Sequence, residues 1–286
     1  MAYTAEISRT NPTCFLLLVD QSGSMGQQFG ADVGKSKAEG VAEAVNRLLQ
    51  TLVARCAKGE QILDRYHVGA IGYGGEVRLG FPVPALAGEV LQPISRIGTC
   101  PLRIEDRSER VDSGGVLRDR HVKFPVWLEP QAQGNTPMCA AFRTARDVLD
   151  AFLRRYPKCF PPIVINISDG AATDGAFEPE ALAIWKLASA DGNVLVFNIH
   201  VSARGEQPFL FPNEDLDLPD DYARRLFSIS SCLPPPMLRQ AGVLEASLLD
   251  GARGFAFNAD LGSVIMFLDI GTRVGGIFAP EKTTRA

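Results

Sequence analysis

Residues 15–19 (FLLLV) are five large hydrophobic side chains in a row, and the run stops abruptly at a carboxylate, Asp20, followed by two hydroxyls, Ser22 and Ser24. Bounded by Pro12 on one side and a Gly/Ser loop on the other, such a run reads as a strand buried on both faces, as in parallel sheets covered by helices. The polar groups then stand at a strand end. Alternate spacing in Asp20-x-Ser22-x-Ser24 can turn three oxygen-bearing side chains toward one point. A hard cation such as Mg²⁺ takes oxygen ligands at roughly 2.0–2.1 Å in an octahedron that usually keeps some waters. A second reading is open on these residues alone: a polar loop in which Asp20 or Ser22 makes local backbone hydrogen bonds.

Composition narrows the classes of function. A chain of 286 residues with 46% hydrophobic and 22% charged content can bury a substantial core, and residues 1–286 are read as one large α/β domain. The net charge of -4 lacks the basic footprint of a nucleic-acid or anionic-membrane binder. Residues 1–11 are polar without a basic-then-apolar leader pattern, and no apolar run approaches the ~20 residues of a membrane span, so the expected location is cytoplasmic. The six cysteines (Cys14, Cys56, Cys100, Cys139, Cys159, Cys232) include no Cys-x-x-Cys pair, and His67, His121 and His200 are isolated from one another. That scatter argues against zinc or a redox centre and for reduced, buried thiols.

Residues 37–56 place Ala38, Val41, Ala42, Val45, Leu48, Leu49, Leu52, Val53 and Cys56 at helical spacing. Residues 66–73 (YHVGAIGY) read as the next strand, with residues 76–79 folding back on it across Gly74-Gly75. A second helix is expected from Met138 to Leu153, with Pro137 at its first position and Thr136 as its N-cap. Residues 162–168 (PIVINIS) are a second buried strand, and it too ends in a carboxylate, Asp169. A helix over 179–189, a strand over 193–201, a helix over about 237–249, a strand over 254–258 and a helix over 261–270 follow. Helices alternating with apolar strands imply right-handed crossovers and a doubly wound, mainly parallel Rossmann-like sheet, with one antiparallel edge strand. Two excursions interrupt this order, at about 81–133 and 203–236. The first carries a stretch dense in both charge signs (103–123), read as a hairpin at a sheet edge with its charges solvated.

In open parallel sheets ligands bind beyond the carboxyl ends of strands where the strand order reverses. Asp20 and Asp169 each end an apolar strand, and Thr136 opens a helix, so three loops can bring Asp, Ser, Ser, Thr and Asp to one end of the sheet. Asp20-x-Ser22-x-Ser24, Gly134-Asn135-Thr136 and Ser168-Asp169-Gly170 resemble the metal-ion-dependent adhesion site (MIDAS) of the von Willebrand factor A (VWA) domain, and the element order is similar over nearly the whole chain. Residues 254–260 (GFAFNAD), 268–271 (LDIG) and 124–127 (FPVW) resemble the bacterial cytoplasmic branch near the tellurite-resistance Y-type (TerY-like) proteins.

The resemblance implies a VWA fold in which Ser22, Ser24 and Thr136 touch a Mg²⁺ ion directly while Asp20 and Asp169 hold it, often through waters; Mn²⁺ or Ca²⁺ are alternative occupants. It also implies that the last helix, over 261–270, can shift as coordination changes. A partner protein would then complete the ion's shell with an Asp or Glu, and the partners the resemblance offers are a Ser/Thr kinase, a protein phosphatase or an AAA+ ATPase in stress-response or defence systems. Neither nucleic acid nor membrane is expected as a partner, and no catalytic residue is assigned.

Rival readings use the same stretch. Gly30-Ala31-Asp32-Val33-Gly34-Lys35-Ser36 resembles a phosphate-binding loop before a helix, but it has three residues between its glycines where the motif needs four. A phosphohydrolase with Asp20 as nucleophile lacks a neighbouring acid or base. A structural subunit with an unused metal site is the third alternative. The expected function is therefore a non-enzymatic, metal-dependent protein-interaction module.

Overall fold

The computed structural model describes residues 3–30, 32–112, 117–202, 208–216, 218–219, 221–244 and 250–272. The apolar runs form the middle of an eight-stranded sheet. Its strands are β1 (Thr13–Asp20), β2 (Tyr66–Tyr73), β3 (Val77–Leu79), β4 (Leu91–Pro93), β7 (Ile163–Ser168), β8 (Leu195–Val201), β9 (Phe209–Leu210) and β10 (Phe255–Ala259). The order across the sheet is β9-β10-β8-β7-β1-β2-β3, with β4 also paired to β2. β1 runs parallel to both β2 and β7, β8 to β7, and β10 to β8. Antiparallel pieces close both edges, β3 and β4 against β2 and β9 against β10. The hairpin across Gly74-Gly75 is the expected one.

Helices cover both faces, which is why β1 has no polar alternation. Phe15, Leu17 and Val19 enter one core with residues of α1 (Lys37–Cys56), α2 (Ile94–Thr99) and α7 (Leu261–Thr272). Cys14, Leu16 and Leu18 enter the other with α3 (Met138–Arg155), α4 (Glu178–Trp185) and α5 (Asp221–Ser228). The side chains at positions 15–18 are fully buried, each worth roughly 1.5–3 kcal/mol of transfer free energy. A charge at any of them would face apolar surface on either side of the sheet. β2 lies on one side of β1 and β7 on the other, so the strand order reverses between β1 and β7, and their carboxyl ends open a crevice there.

Several elements depart from the sequence expectation. The charged excursion is a hairpin, β5 (Arg103–Asp112) and β6 (Leu117–Val126), but among the described residues its strands pair with each other and not with the main sheet. One of its faces lies over α1, with the Arg47 guanidinium of that helix 5.5 Å from the Phe124 ring centroid. Gly114-Gly115, at its centre, lies outside the described residues. Asn46 of α1 fixes the base of the hairpin: its Nδ2 donates to Leu128 O at 2.9 Å and its Oδ1 accepts the amides of Trp127 and Leu128 at 2.8 and 3.0 Å. β4 and α2 are too short to leave a periodic pattern in the chain, whereas α5 carries Tyr222, Ala223, Leu226 and Phe227 at helical spacing inside the excursion that the sequence reading left unassigned. α4 ends at Trp185, short of the expected 189, because the chain turns there into the Ala188–Asn193 bridge. α6 (Pro235–Leu244) is described to Leu244; the rest of its expected span, 245–249, lies outside the described residues. α7 packs on α1, where Arg55 and Asp269 form an ion pair, and the Phe267 ring stacks 4.8 Å from that of Phe211.

Candidate metal centre

Three loops meet at the crevice through their backbones. Gln21 N–H donates to Tyr73 O at 2.7 Å, Gln133 N–H to Gln21 O at 2.7 Å, Gly75 N–H to Gln133 O at 3.0 Å and Gly23 N–H to Gly134 O at 3.0 Å. Glycine is required where these strands of backbone touch. A Cβ on Gly74 would lie 2.6 Å from Gln21 O, and Gly134 has φ +75° with its Cβ position 2.4 Å from Gly75 Cα. The Gly74-Gly75 turn therefore closes a hairpin and also lets the loop that carries Thr136 approach the loop that carries Ser22.

The side chains converge as follows. Asp20, 1% exposed, accepts the Ser22 amide on Oδ1 at 2.8 Å and the Ser168 hydroxyl on Oδ2 at 2.7 Å. The local loop bond that the sequence left as an alternative is thus present, alongside a second bond from β7. Ser22 Oγ and Ser24 Oγ lie 3.1 Å apart, and Ser24 Oγ donates to Asp169 Oδ1 at 2.7 Å. Asp20, Ser22, Ser24 and Asp169 therefore belong to one hydrogen-bonded cluster that also takes in Ser168.

Thr136 is 6% exposed and lies two residues beyond Gly134, whose carbonyl accepts the Gly23 amide of the Ser22 loop. Its amide donates to Thr173 Oγ1 at 3.0 Å and its carbonyl accepts the Thr173 amide at 3.0 Å, while its own hydroxyl makes no hydrogen bond among the described residues. The expected N-cap role is corrected. α3 starts at Met138 with Pro137 at the cap position, and no side chain there makes a cap bond. Asp174 takes that role from a distant loop, accepting the Cys139 and Ala140 amides at 3.0 and 2.9 Å. Released from capping, the Thr136 hydroxyl is available to a ligand.

Burial raises the Asp20 carboxyl above the ordinary carboxylate range; hydrogen bonds from Ser22 and Ser168 oppose this, and the neighbouring Asp169 charge adds to it. A cation in the crevice would relieve that cost. The structure already supplies one: Lys37 Nζ donates to Asp169 Oδ2 at 2.6 Å and to Gln27 Oε1 at 3.0 Å. Sequence reasoning missed Lys37 and Asp174, and it had Ser168 in the motif without its role as a donor to Asp20. Lys37 carried a signal, since a cation at the first position of a helix opposes the helix dipole and calls for a partner. Among the described residues no group of three or more His, Cys, Asp or Glu is placed to hold a metal. The five candidate residues are a different donor set, two carboxylates and three hydroxyls, and oxygen-only donors of this kind suit a hard divalent cation.

The phosphate-loop rival fails on geometry. The segment belongs to a small ribbon, Gln28–Phe29 against Asp32–Ser36, and Ser36 caps α1 in a reciprocal box with Glu39. Lys35 Nζ is paired to Glu43 at 2.7 Å. Among the described residues no helix is long and apolar enough to cross a membrane.

No family model and no curated protein matches the chain. In structure it is similar to the vWF domain of the type V pilus tip protein Mfa5 of Porphyromonas gingivalis, at 14% identity over 57% of this chain and 39% of that one, with a TM-score of 0.32. It is also similar to the pilus adhesin SpaC of Lactobacillus rhamnosus GG in its open conformation (13% identity, 95% and 31% covered, TM-score 0.47). A third is the manganese-loaded TRAP protein of Plasmodium vivax (13% identity, 91% and 72% covered, TM-score 0.43). The chain spans 39% and 31% of the lengths of Mfa5's vWF domain and SpaC.

Proposed function

We propose that Asp20, Ser22, Ser24, Thr136 and Asp169 hold a divalent cation, Mg²⁺ or in its place Mn²⁺ or Ca²⁺, and that the chain is a metal-dependent protein-interaction module of the VWA kind. What supports this reading is the hydrogen-bonded cluster that brings Asp20, Ser22, Ser24 and Asp169 together from two strand ends at the sheet's switch point, with the loop that leads to Thr136 joined to it through the Gly23–Gly134 backbone bond and the Thr136 hydroxyl left unused by the helix it precedes. A bound divalent ion supplies an electrophilic point that a partner's Asp or Glu can complete, a charge-assisted contact of defined position. The protein's own groups set that point: Ser168 and the Ser22 amide orient Asp20, Ser24 orients Asp169, and the close Gly75–Gly134 approach lets the loop that leads to Thr136 bond to Gly23.

The further reading is that the whole chain acts as one such module in the bacterial cytoplasm, beside a Ser/Thr kinase, protein phosphatase or AAA+ ATPase of a stress-response or defence system. It rests on the likeness of residues 124–127, 254–260 and 268–271 to TerY-like proteins. Asp20 is poorly disposed as a phosphohydrolase nucleophile, because it is buried and both its oxygens are engaged.

The test compares the native chain with Asp20→Ala and Thr136→Ala, measuring Mg²⁺ and Mn²⁺ binding by calorimetry and partner recovery with and without EDTA. Both variants are expected to lose the cation and the partner together. Unchanged recovery in every condition would leave a structural subunit with an unused site. Turnover of ATP or a phosphoester that disappears in Asp20→Ala would replace the binding reading with an enzyme.

A further inference from the structure

The Lys37–Asp169 pair bears directly on how such a site would fill. Lys37 and Asp169 side chains are 5% and 1% exposed, so neither charge is solvated. The lysine is the first residue of α1, where the helix N-terminus disfavours a cation. Its position is imposed by its surroundings. The Phe29 ring fills the hollow over Gly40, where a Cβ would lie 2.0 Å from a ring carbon. Gly30 N–H donates to Ser202 O at 2.9 Å, and Lys37 N–H donates to Gln27 O at 2.9 Å, closing the neck of the ribbon. Gln27 and Lys37 are thereby held side by side, and the ammonium is delivered to Asp169.

Asp169 faces two ways: Oδ1 accepts the Ser24 hydroxyl and Oδ2 accepts the ammonium. Two carboxylates against one ammonium leave the cluster with a single net negative charge instead of two. A divalent ion held partly by Asp169 would sit a few ångströms from a like charge in a poorly solvated site, where repulsion is far stronger than in water. We propose that Lys37 is a built-in competitor of the divalent cation: it neutralises Asp169 in the metal-free chain, and the cation fills the site only at the expense of the Lys37–Asp169 pair. This rests on the divalent-cation reading above. Lys37 then does two jobs, protecting the fold from an unpaired buried carboxylate and keeping intrinsic metal affinity low.

The experiment titrates the EDTA-stripped native chain, Lys37→Met, Lys37→Gln and the double variant Lys37→Met/Asp169→Asn with Mn²⁺ at fixed pH and ionic strength. Calorimetry gives the affinity, Mn²⁺ electron paramagnetic resonance gives the free ion, and thermal melting gives the metal-free stability. Lys37→Met and Lys37→Gln are expected to bind Mn²⁺ at least about tenfold tighter than the native chain. Metal-free Lys37→Met should melt below the native chain and recover on adding Mn²⁺, and the double variant should lose the gain in affinity. If Lys37→Met does not fold, Lys37→Gln, which keeps a donor for Asp169, decides. Equal affinity in the native chain and both single variants overturns the competition while leaving the cation site intact. A gain that survives Asp169→Asn overturns it as well. Binding in neither the native chain nor any variant overturns the cation reading, and this inference with it. Binding only after Lys37 is replaced supports the competition and overturns metal use by the native chain.

Discussion

Two lysine–aspartate pairs in this protein have nearly the same geometry and opposite surroundings. Lys37 meets Asp169 at 2.6 Å beneath the loops at the carboxyl end of the sheet, with side chains 5% and 1% exposed. Lys123 meets Asp106 at 2.5 Å across the β5–β6 hairpin, with both side chains 72% exposed. Distance alone would rank them as equals. On the hairpin, water screens both charges and little is gained or lost by the contact. In the crevice neither charge has water to fall back on, so the pair is costly to form and far more costly to break on one side. The buried pair can therefore couple to a ligand's charge, while the exposed one mainly keeps the hairpin soluble.

The difference can be probed by removing parts of each region in turn. Asp169→Ala should have the largest effect, about 3–5 kcal/mol of unfolding free energy in the metal-free chain, because it strands the Lys37 ammonium; urea denaturation measures it, and a loss under 1 kcal/mol would mean that the crevice is as well solvated as the hairpin. Gly134→Ala should cost about 3 kcal/mol, from positive φ and a Cβ driven into Gly75. It should also weaken Mn²⁺ binding by displacing Thr136. Asn46→Ala should cost about 2 kcal/mol by orphaning the Trp127 and Leu128 amides, and should raise hydrogen exchange at the base of the hairpin, since the hairpin's stability comes from its foot more than from its ion pairs.

Asp174→Ala should cost about 1 kcal/mol through the lost cap on α3, and its pH dependence gives an independent check. Burial pushes the Asp174 carboxyl up, but the Ala140 and Cys139 amides and the Cys139 thiol outweigh this and hold it below the ordinary carboxylate value. Its contribution is therefore fully present above the unfolded value of about 4 and is lost as the pH falls through the lower folded value. Native and variant denaturation curves should converge on acidification; a gap that stays constant to the lowest pH at which the chain folds would show that the carboxylate's charge is not what caps the helix. Asp106→Ala should change stability by under about 0.5 kcal/mol, and a double-mutant cycle with Lys123→Ala should show almost no coupling, unlike the same cycle at Lys37 and Asp169.

Much of the architecture was legible along the chain. α1 spans Lys37–Cys56 and β2 spans Tyr66–Tyr73, as their periodicity predicts, because each is long enough for its pattern to outweigh local exceptions. Both site strands could be found because β1 and β7 are buried on both faces and end in aspartate. The Thr136 cap was misread because local spacing favours the nearest hydroxyl, whereas the donor that satisfies α3 comes from Asp174, 35 residues on from Cys139. α2 and β4 stayed hidden for a related reason: elements of a turn or two are held by contacts from elsewhere, such as Trp127 Nε1–H donating to Ile97 O at 2.7 Å.

By itself, then, the sequence determined which segments must be buried, that they alternate with helices, and that two of them deliver carboxylates to one end of a parallel sheet, since hydrophobic periodicity and strand-end chemistry are local properties. Only the tertiary structure decided that Asp20, Ser22, Ser24 and Asp169 share one hydrogen-bonded cluster, that Thr136 is released from capping, and that Lys37 meets Asp169 across 132 residues of chain. A buried charge is stabilised by whichever group the fold brings within a few ångströms, and that group's position in the sequence is set by topology.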